Sequence, residues 1–268
     1  MINTDLSFDE YRAIEAINAS SIKKGQISML HMRQEITRES SPPTAAMQWG
    51  SVIHLKVLEP ELFAIDVAEW NDSKKTKAFK EHEERNPQVK YWLTSAQLDA
   101  LEQINENIYN HPEMAMILGD SQKEVSMFWE GKYGEAKARL DALSVAGANI
   151  ADLKSTTIIE PAKFQTHAFK MGYHISAGWY VEACEAHGIM APSFYLIVVE
   201  AKPPYDTVLY EMDSSLIEMG REEAVKIATL YKCCLGTYKG VAPYGITGLT
   251  APDWSMEKPE LDFEEGKK

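Results

Sequence analysis

The chain has 268 residues, 45% hydrophobic and 25% charged, a composition that fits one large globular domain and excludes a fibrous or wholly disordered protein. Its 27 basic residues face 40 acidic ones, a net charge of −13. That argues against nucleic-acid binding through a broad basic coat but leaves room for a local basic groove, because net charge says nothing about where the charges lie.

The opening residues, MINTDLSFDEY, lack a basic stretch followed by an apolar core, so no signal peptide is expected. Residues 1–60 read as helices with breaks. Ser20–Arg33 carries Ile22, Ile27, Leu30 and Met32 among Lys23, Lys24 and Arg33. A polar link over Glu39–Thr44 follows, and then a helix over Ala45–Leu58 stopped at Pro60. Residues 66–92 are polar and lysine-rich (Lys74, Lys75, Lys77, Lys80) and predict a mobile loop or surface helix. Thr94–Asn110 is a helix with a capping box at Thr94 and Gln97. From Glu124 the pattern turns to strands: Val125–Trp129, a turn at residues 131–134, and Glu135–Val145 with Ala136, Ala138, Leu140 and Ala142 on one side. A turn at Gly147 and Asn149–Ser155 complete an antiparallel meander. Pro161–Gly188 reads as helix broken at Gly172, Phe194–Val199 as a buried strand, Thr207–Met212 as its antiparallel return, and Ser215–Leu235 as a long helix ended by Gly236. The spacing predicts one domain over 1–251, mainly helical to residue 120 and sheet-bearing from 121, with a loose acidic tail over 252–268. The three cysteines, Cys184, Cys233 and Cys234, form no C-x-x-C pair, which speaks against a disulfide framework and for a cytoplasmic setting. No apolar run is long enough to span a membrane.

The chemistry concentrates at Asp141 and Asp152-Leu153-Lys154. The period-2 pleat puts Asp152 and Lys154 on one face of a strand, and a turn returns Asp141 alongside them. Two hard carboxylates suit Mg²⁺, and the lysine can orient or help deprotonate a water. Asp/Glu-x-Lys occurs six times, however, and at Asp152 its simplest reading is a surface ion pair. The main rival, Glu200-Ala201-Lys202, also ends an apolar strand but lacks a second strand-borne acid upstream. Glu124 opens the preceding strand and can hold metal or DNA, or only cap the strand. Arg139 and Lys137 share the face of Asp141 and can meet a phosphate or neutralise the carboxylates. Trp129 and Trp179 read as core residues, and His54 in an apolar helix reads as a packed histidine.

Several blocks in order resemble the RecE (exonuclease VIII) nuclease family of the PD-(D/E)xK superfamily. They are Trp49–His54, Leu58–Phe63, Glu124–Trp129, Lys137–Asp141, Ala151–Thr156 and Gly172–His174, and together they cover most of residues 10–240. The resemblance implies an α/β fold: a PD-(D/E)xK nuclease core whose mixed central sheet is flanked by helices, with an N-terminal helical region. It implies Mg²⁺-dependent (or Mn²⁺-dependent) 5′→3′ exonuclease action on double-stranded DNA ends in homologous recombination, a homo-oligomeric ring and a RecT-type annealing partner. By position, Asp141, Asp152 and Lys154 match the catalytic set. His54, Asp141, Asp152 and the Leu153 carbonyl match the metal ligands, which requires a neutral imidazole and so lower activity in acid. The usual Gln-x-x-x-Tyr is Ser176 to Tyr180 here, leaving Tyr180 as a site residue and Ser176 doubtful. Lys23, Lys24, Arg33, Lys137 and Arg139 are expected to line a DNA channel. Two other readings compete: an endonuclease of the same fold, and a non-catalytic module that binds DNA ends.

Overall fold

The computed structural model describes residues 1–37, 43–146, 148–190 and 192–234. The expected link over 39–44 lies largely outside them, and the Gly147 turn, the stop at Gly236 and the acidic tail lie wholly outside. Elements run in the order β1 (Ile2–Asn3), α1 (Phe8–Ala13), α2 (Ala19–Gly25), α3 (Met29–Thr37), α4 (Ala45–Leu58), α5 (Pro60–Asp66), β2 (Val67–Glu69), α6 (Lys77–Arg85), β3 (Tyr91–Leu93), α7 (Ser95–Tyr109) and α8 (Pro112–Gly119). They continue with β4 (Gln122–Gly131), β5 (Gly134–Ser144), β6 (Asn149–Thr156), α9 (Pro161–Lys170), α10 (Tyr173–Ala186), β7 (Ser193–Glu200), β8 (Thr207–Glu211) and α11 (Ser214–Cys234).

Six strands form one sheet in the order β1-β4-β5-β6-β7-β8, with β6 and β7 parallel and all other neighbours antiparallel. This is the mixed α/β architecture expected from the sequence. Phe194, Leu196 and Val198 of β7 face one apolar core with α2, α3, α10 and α11, while Ile197 and Val199 face a second with α4, α7 and α8. Helix α10 has ten buried residues, as befits the central helix of a core, with Glu182 and Glu185 left to pair with Arg221 of α11. It touches α11 backbone to backbone: a Cβ on Gly220 would stand 1.9 Å from the His174 carbonyl oxygen.

Several expectations change. Ser20–Arg33 is two helices rather than one, because Gly25 ends α2 and Ser28 starts α3 by accepting from the His31 amide. Residues 66–92 are partly ordered into sheet: β2 and β3 pair in parallel, and Trp70, Phe79, His82 and Trp92 pack ring to ring beneath α6. The capping box at Thr94 forms as read. On β5 the alternation changes phase: Ala136, Ala138 and Leu140 face the α10 core, but Ala142 faces the α4 core and Leu143 the α10 core. The change falls at Asp141, and its cause lies across the strand. By register Glu124 stands opposite Asp141, yet that pair is missing from the ladder, and Glu124 adopts a left-handed backbone, φ +52°. Such a conformation is costly for a residue with a Cβ and tends to collect at functional sites.

Candidate metal and phosphate site

The site grows from this irregularity. The β5–β6 ladder stops at Ala142↔Ala151, so beyond it the strands part. There the Asp141 carboxylate takes the place of a strand carbonyl and accepts from the Leu153 amide at 2.8 Å. His54, one turn from the end of α4, enters the gap: its Nδ1 lies 3.6 Å from Asp141 Oδ2 and its Nε2 3.0 Å from the Leu153 carbonyl oxygen. Ligand atoms of His54, Glu124 and Asp141 all fall within 4.8 Å of one another. From the other face of β6, Asp152 pairs with Lys154, whose ammonium also donates to the Leu153 carbonyl at 3.3 Å and sits 5.6 Å from the Tyr173 ring centre.

The electrostatics describe a site with too much buried negative charge on one side. Burial, then the Asp141 carboxylate, push Glu124 up to about 7 against the pull of His54 and Arg139. Burial and Asp141 likewise raise Asp152, although Lys154 opposes them. Burial by itself would lower the Lys154 ammonium, but Asp152 and Asp141 together hold it above the ordinary lysine range. Lys154 therefore keeps its proton at neutral pH. It can orient a water or a phosphoryl oxygen, but it has no lone pair with which to act as a base.

The donor set fits a hard divalent cation: one imidazole, buried carboxylates and a backbone carbonyl. The 3.0 Å between His54 Nε2 and the Leu153 oxygen serves two arrangements. Without metal the ring N–H donates to the carbonyl. A bound divalent cation would draw on a ring nitrogen of His54, with the Leu153 carbonyl oxygen close enough to join the donor set.

The expected site residues thus fall into groups. His54, Asp141, Asp152, Leu153, Lys154 and Glu124 converge, but Glu124 rather than Asp152 completes the threesome with His54 and Asp141. Tyr180 is close enough for Asp152, Asp141 and Glu124 to act on its hydroxyl, which burial above all keeps protonated. Lys23 faces Lys154 and Asp152. Two expected phosphate contacts are committed elsewhere. Lys137 is 2% exposed and its ammonium donates to the Tyr11 and Ile14 carbonyls, tying down the end of α1. Arg139 donates to Glu124 at 2.6 Å, to the Leu6 carbonyl at 2.7 Å and to the Ser126 hydroxyl at 2.8 Å, so it braces Glu124 and the N-terminal segment. Arg139 reaches Glu124, whose carboxylate adjoins Asp141, but the segment that covers that face is invisible to strand periodicity. Lys24 and Arg33 are exposed, and Arg33 stands near Tyr231 of α11. Ser176 is buried. Trp179 is fully buried and donates to the Lys137 carbonyl, in keeping with a core role. Tyr173, part of the Gly172–His174 block and a residue whose ring could stack on a base, lies under the Lys154 ammonium.

The PDDEXK-like domain of unknown function DUF3799 matches residues 19–240. The chain belongs to this family. The fold agrees with a crystal structure of a protein named as a candidate exonuclease from Eubacterium rectale, at 13% identity and a TM-score of 0.57, over 94% of this chain and 98% of that one. A phage-related exonuclease from Haemophilus somnus 129PT aligns at 15% identity with a TM-score of 0.35, over 81% of this chain and 93% of that one. No curated protein matches in sequence. The superfamily read from the sequence is thereby shown; its RecE branch is not. Among the described residues no helix is long and apolar enough to cross a membrane.

A stability prediction follows from Glu124. Its carboxyl titrates near 7 in the fold and near 4.5 when unfolded, so the folded state binds more protons between those values. In metal-free protein, stability should then fall by about 2–3 kcal/mol as pH rises from 4.5 to 7. Glu124→Gln should flatten that slope. Mn²⁺ should raise the melting temperature more at pH 8 than at pH 5, and equal shifts at both would refute the assignment. Thermal melts at the two pH values measure it.

Proposed function

We propose that the protein is a metal-dependent nuclease that digests double-stranded DNA from its ends, 5′→3′, in homologous recombination. One observation carries the hydrolytic reading: the His54, Glu124 and Asp141 cluster stands beside the Asp152–Lys154 pair where β5 and β6 part. His54, Asp141, Glu124 and the Leu153 carbonyl would hold Mg²⁺ or Mn²⁺, which would supply positive charge to the phosphoryl oxygens. Lys154 offers a second positive charge, fixed by Asp152 and the Leu153 carbonyl, to orient the phosphate or the attacking water. Glu124, which burial and Asp141 push up in the metal-free protein, would be held ionised by the cation and so serve as a ligand. Asp141 is kept in place by the Leu153 amide.

End-dependence, polarity, a closed homo-oligomer around the duplex and a RecT-type annealing partner belong to the same proposal. Their support is the resemblance to RecE, together with the need of a chain at −13 to concentrate its basic residues around DNA. The test is a pair of substrates with Mg²⁺, one linear duplex labelled at its 5′ or 3′ end and one covalently closed circle. We expect the linear duplex to be shortened from the 5′ end, the circle to survive, and binding to weaken as salt rises. Equal cutting of both substrates by a monomer would replace this reading with an endonuclease of the same fold.

A further inference from the structure

We propose that Lys23 is a substrate-binding residue that grips a DNA phosphate beside the one held at Lys154; the idea rests on the nuclease reading above. Lys23 lies on α2, far in sequence from the acidic cluster, yet its stem crosses the start of α10. A Cβ placed on Gly172 would stand 3.0 Å from Lys23 Cδ and 3.2 Å from its Cγ. Gly172 also has a left-handed backbone, φ +66°, so this position is doubly suited to glycine. The next residue is Tyr173, whose ring lies under the Lys154 ammonium. The glycine lets the Lys23 stem lie flat against the helix start, and the amine ends among the charges of the site.

The charge balance there is uneven. The groups that act on the Lys23 amine are Lys154, Asp152 and Lys24, two like charges and one opposite. Asp152 is already paired with Lys154, and the described residues give Lys23 no ion pair or hydrogen bond of its own. Burial first, then Lys154, hold the Lys23 amine below the ordinary lysine range, with Asp152 opposing. Two neighbouring ammonium groups that share one carboxylate favour an anion between or beside them. A half-buried lysine without a protein partner has its stem fixed by packing and its charge unspent. By contrast, Lys137, Arg139 and Lys56 all have protein partners. A phosphodiester is the anion that the adjoining cluster would bring to this place.

Contact with a phosphate that does not react contributes equally to bound substrate and transition state, so its loss should appear in KM and not in kcat. The experiment compares wild type, Lys23→Gln and Lys23→Arg on linear duplex with Mg²⁺, with binding measured at several salt concentrations in Ca²⁺ and folding followed by thermal melts. For Lys23→Gln we expect KM to rise about tenfold or more with kcat within about threefold. The slope of log Kd against log salt should shrink by about one. Lys23→Arg should restore KM and slope. If wild type cuts DNA and Lys23→Gln keeps its KM and salt slope, the Lys23 proposal is wrong while the nuclease reading stands. A collapse of kcat at unchanged KM would also overturn it, since that places Lys23 in the chemistry through Lys154. If wild type neither binds nor cuts DNA, both readings fall.

Discussion

Replacing the Asp152–Lys154 pair should cost at least about a thousandfold in kcat. In the proposed function Lys154 is the fixed cation that meets the phosphate, and no other described lysine or arginine has its three anchors: Asp152, the Leu153 carbonyl and the Tyr173 ring. The choice of substitution matters because Asp152 is 2% exposed. Lys154→Gln alone strands a buried carboxylate beside Asp141 and should destabilise the fold by about 3 kcal/mol. Asp152→Asn removes a group that burial and Asp141 already push towards its neutral form, so it should be milder. The double variant Asp152→Asn/Lys154→Gln keeps a neutral hydrogen-bonding pair in the same space. It should melt near the wild-type temperature and still be inactive. Glu200→Gln is the comparison. Glu200 ends β7 in register with Thr156, and its amide is used by the Asp206 carbonyl, away from the acidic cluster. Initial rates on linear duplex, beside melts, decide: full activity in the double variant, or a dead Glu200→Gln, would show that the wrong Asp/Glu-x-Lys had been chosen.

What the sequence could and could not say divides along the range of the interactions. Helix α4 runs over Ala45–Leu58 as read, because a Thr44 cap and a proline stop are local signals. The meander β4-β5-β6 and the break at Gly172 were legible for the same reason: alternation and punctuation act within a few residues. The Asp152–Lys154 face followed from the pleat alone. The phase change at Asp141 could not be read, because it depends on a left-handed Glu124 in another strand. Nor could the engagement of Lys137 and Arg139 be read, since their partners, Leu6, Tyr11 and Ile14, arrive from more than 120 residues away. The parallel pairing of β2 with β3 was hidden in a stretch whose composition is that of a surface loop. His54 needed the resemblance, since its helix supplies only an apolar context, and the fold then brought it to Asp141.

His54 is where a core residue and a ligand make opposite demands. His54→Ala should lower Mn²⁺ affinity at least tenfold while the metal-free protein loses only a few degrees of melting temperature. The stability cost is small because the side chain is 28% exposed and gives up one hydrogen bond to the Leu153 carbonyl, a loss of about 1 kcal/mol. Its neighbours in α4, Val52 and Ile53, are the residues buried in the core, and they remain. The affinity cost is large because removing the imidazole leaves Glu124 and Asp141 facing each other across the gap with one neutral donor fewer. A rival outcome is easily told apart: a packed histidine would lose many degrees in the melt and leave the calorimetric Mn²⁺ titration unchanged. Glu124→Gln gives the complementary reading. It removes a ligand charge and the repulsion with Asp141 together, so the metal-free protein should gain stability at pH 8 as metal affinity falls. Opposite signs in stability for His54→Ala and Glu124→Gln, with the same sign in affinity, are what a built cation site requires. A packing cluster would lose stability in both.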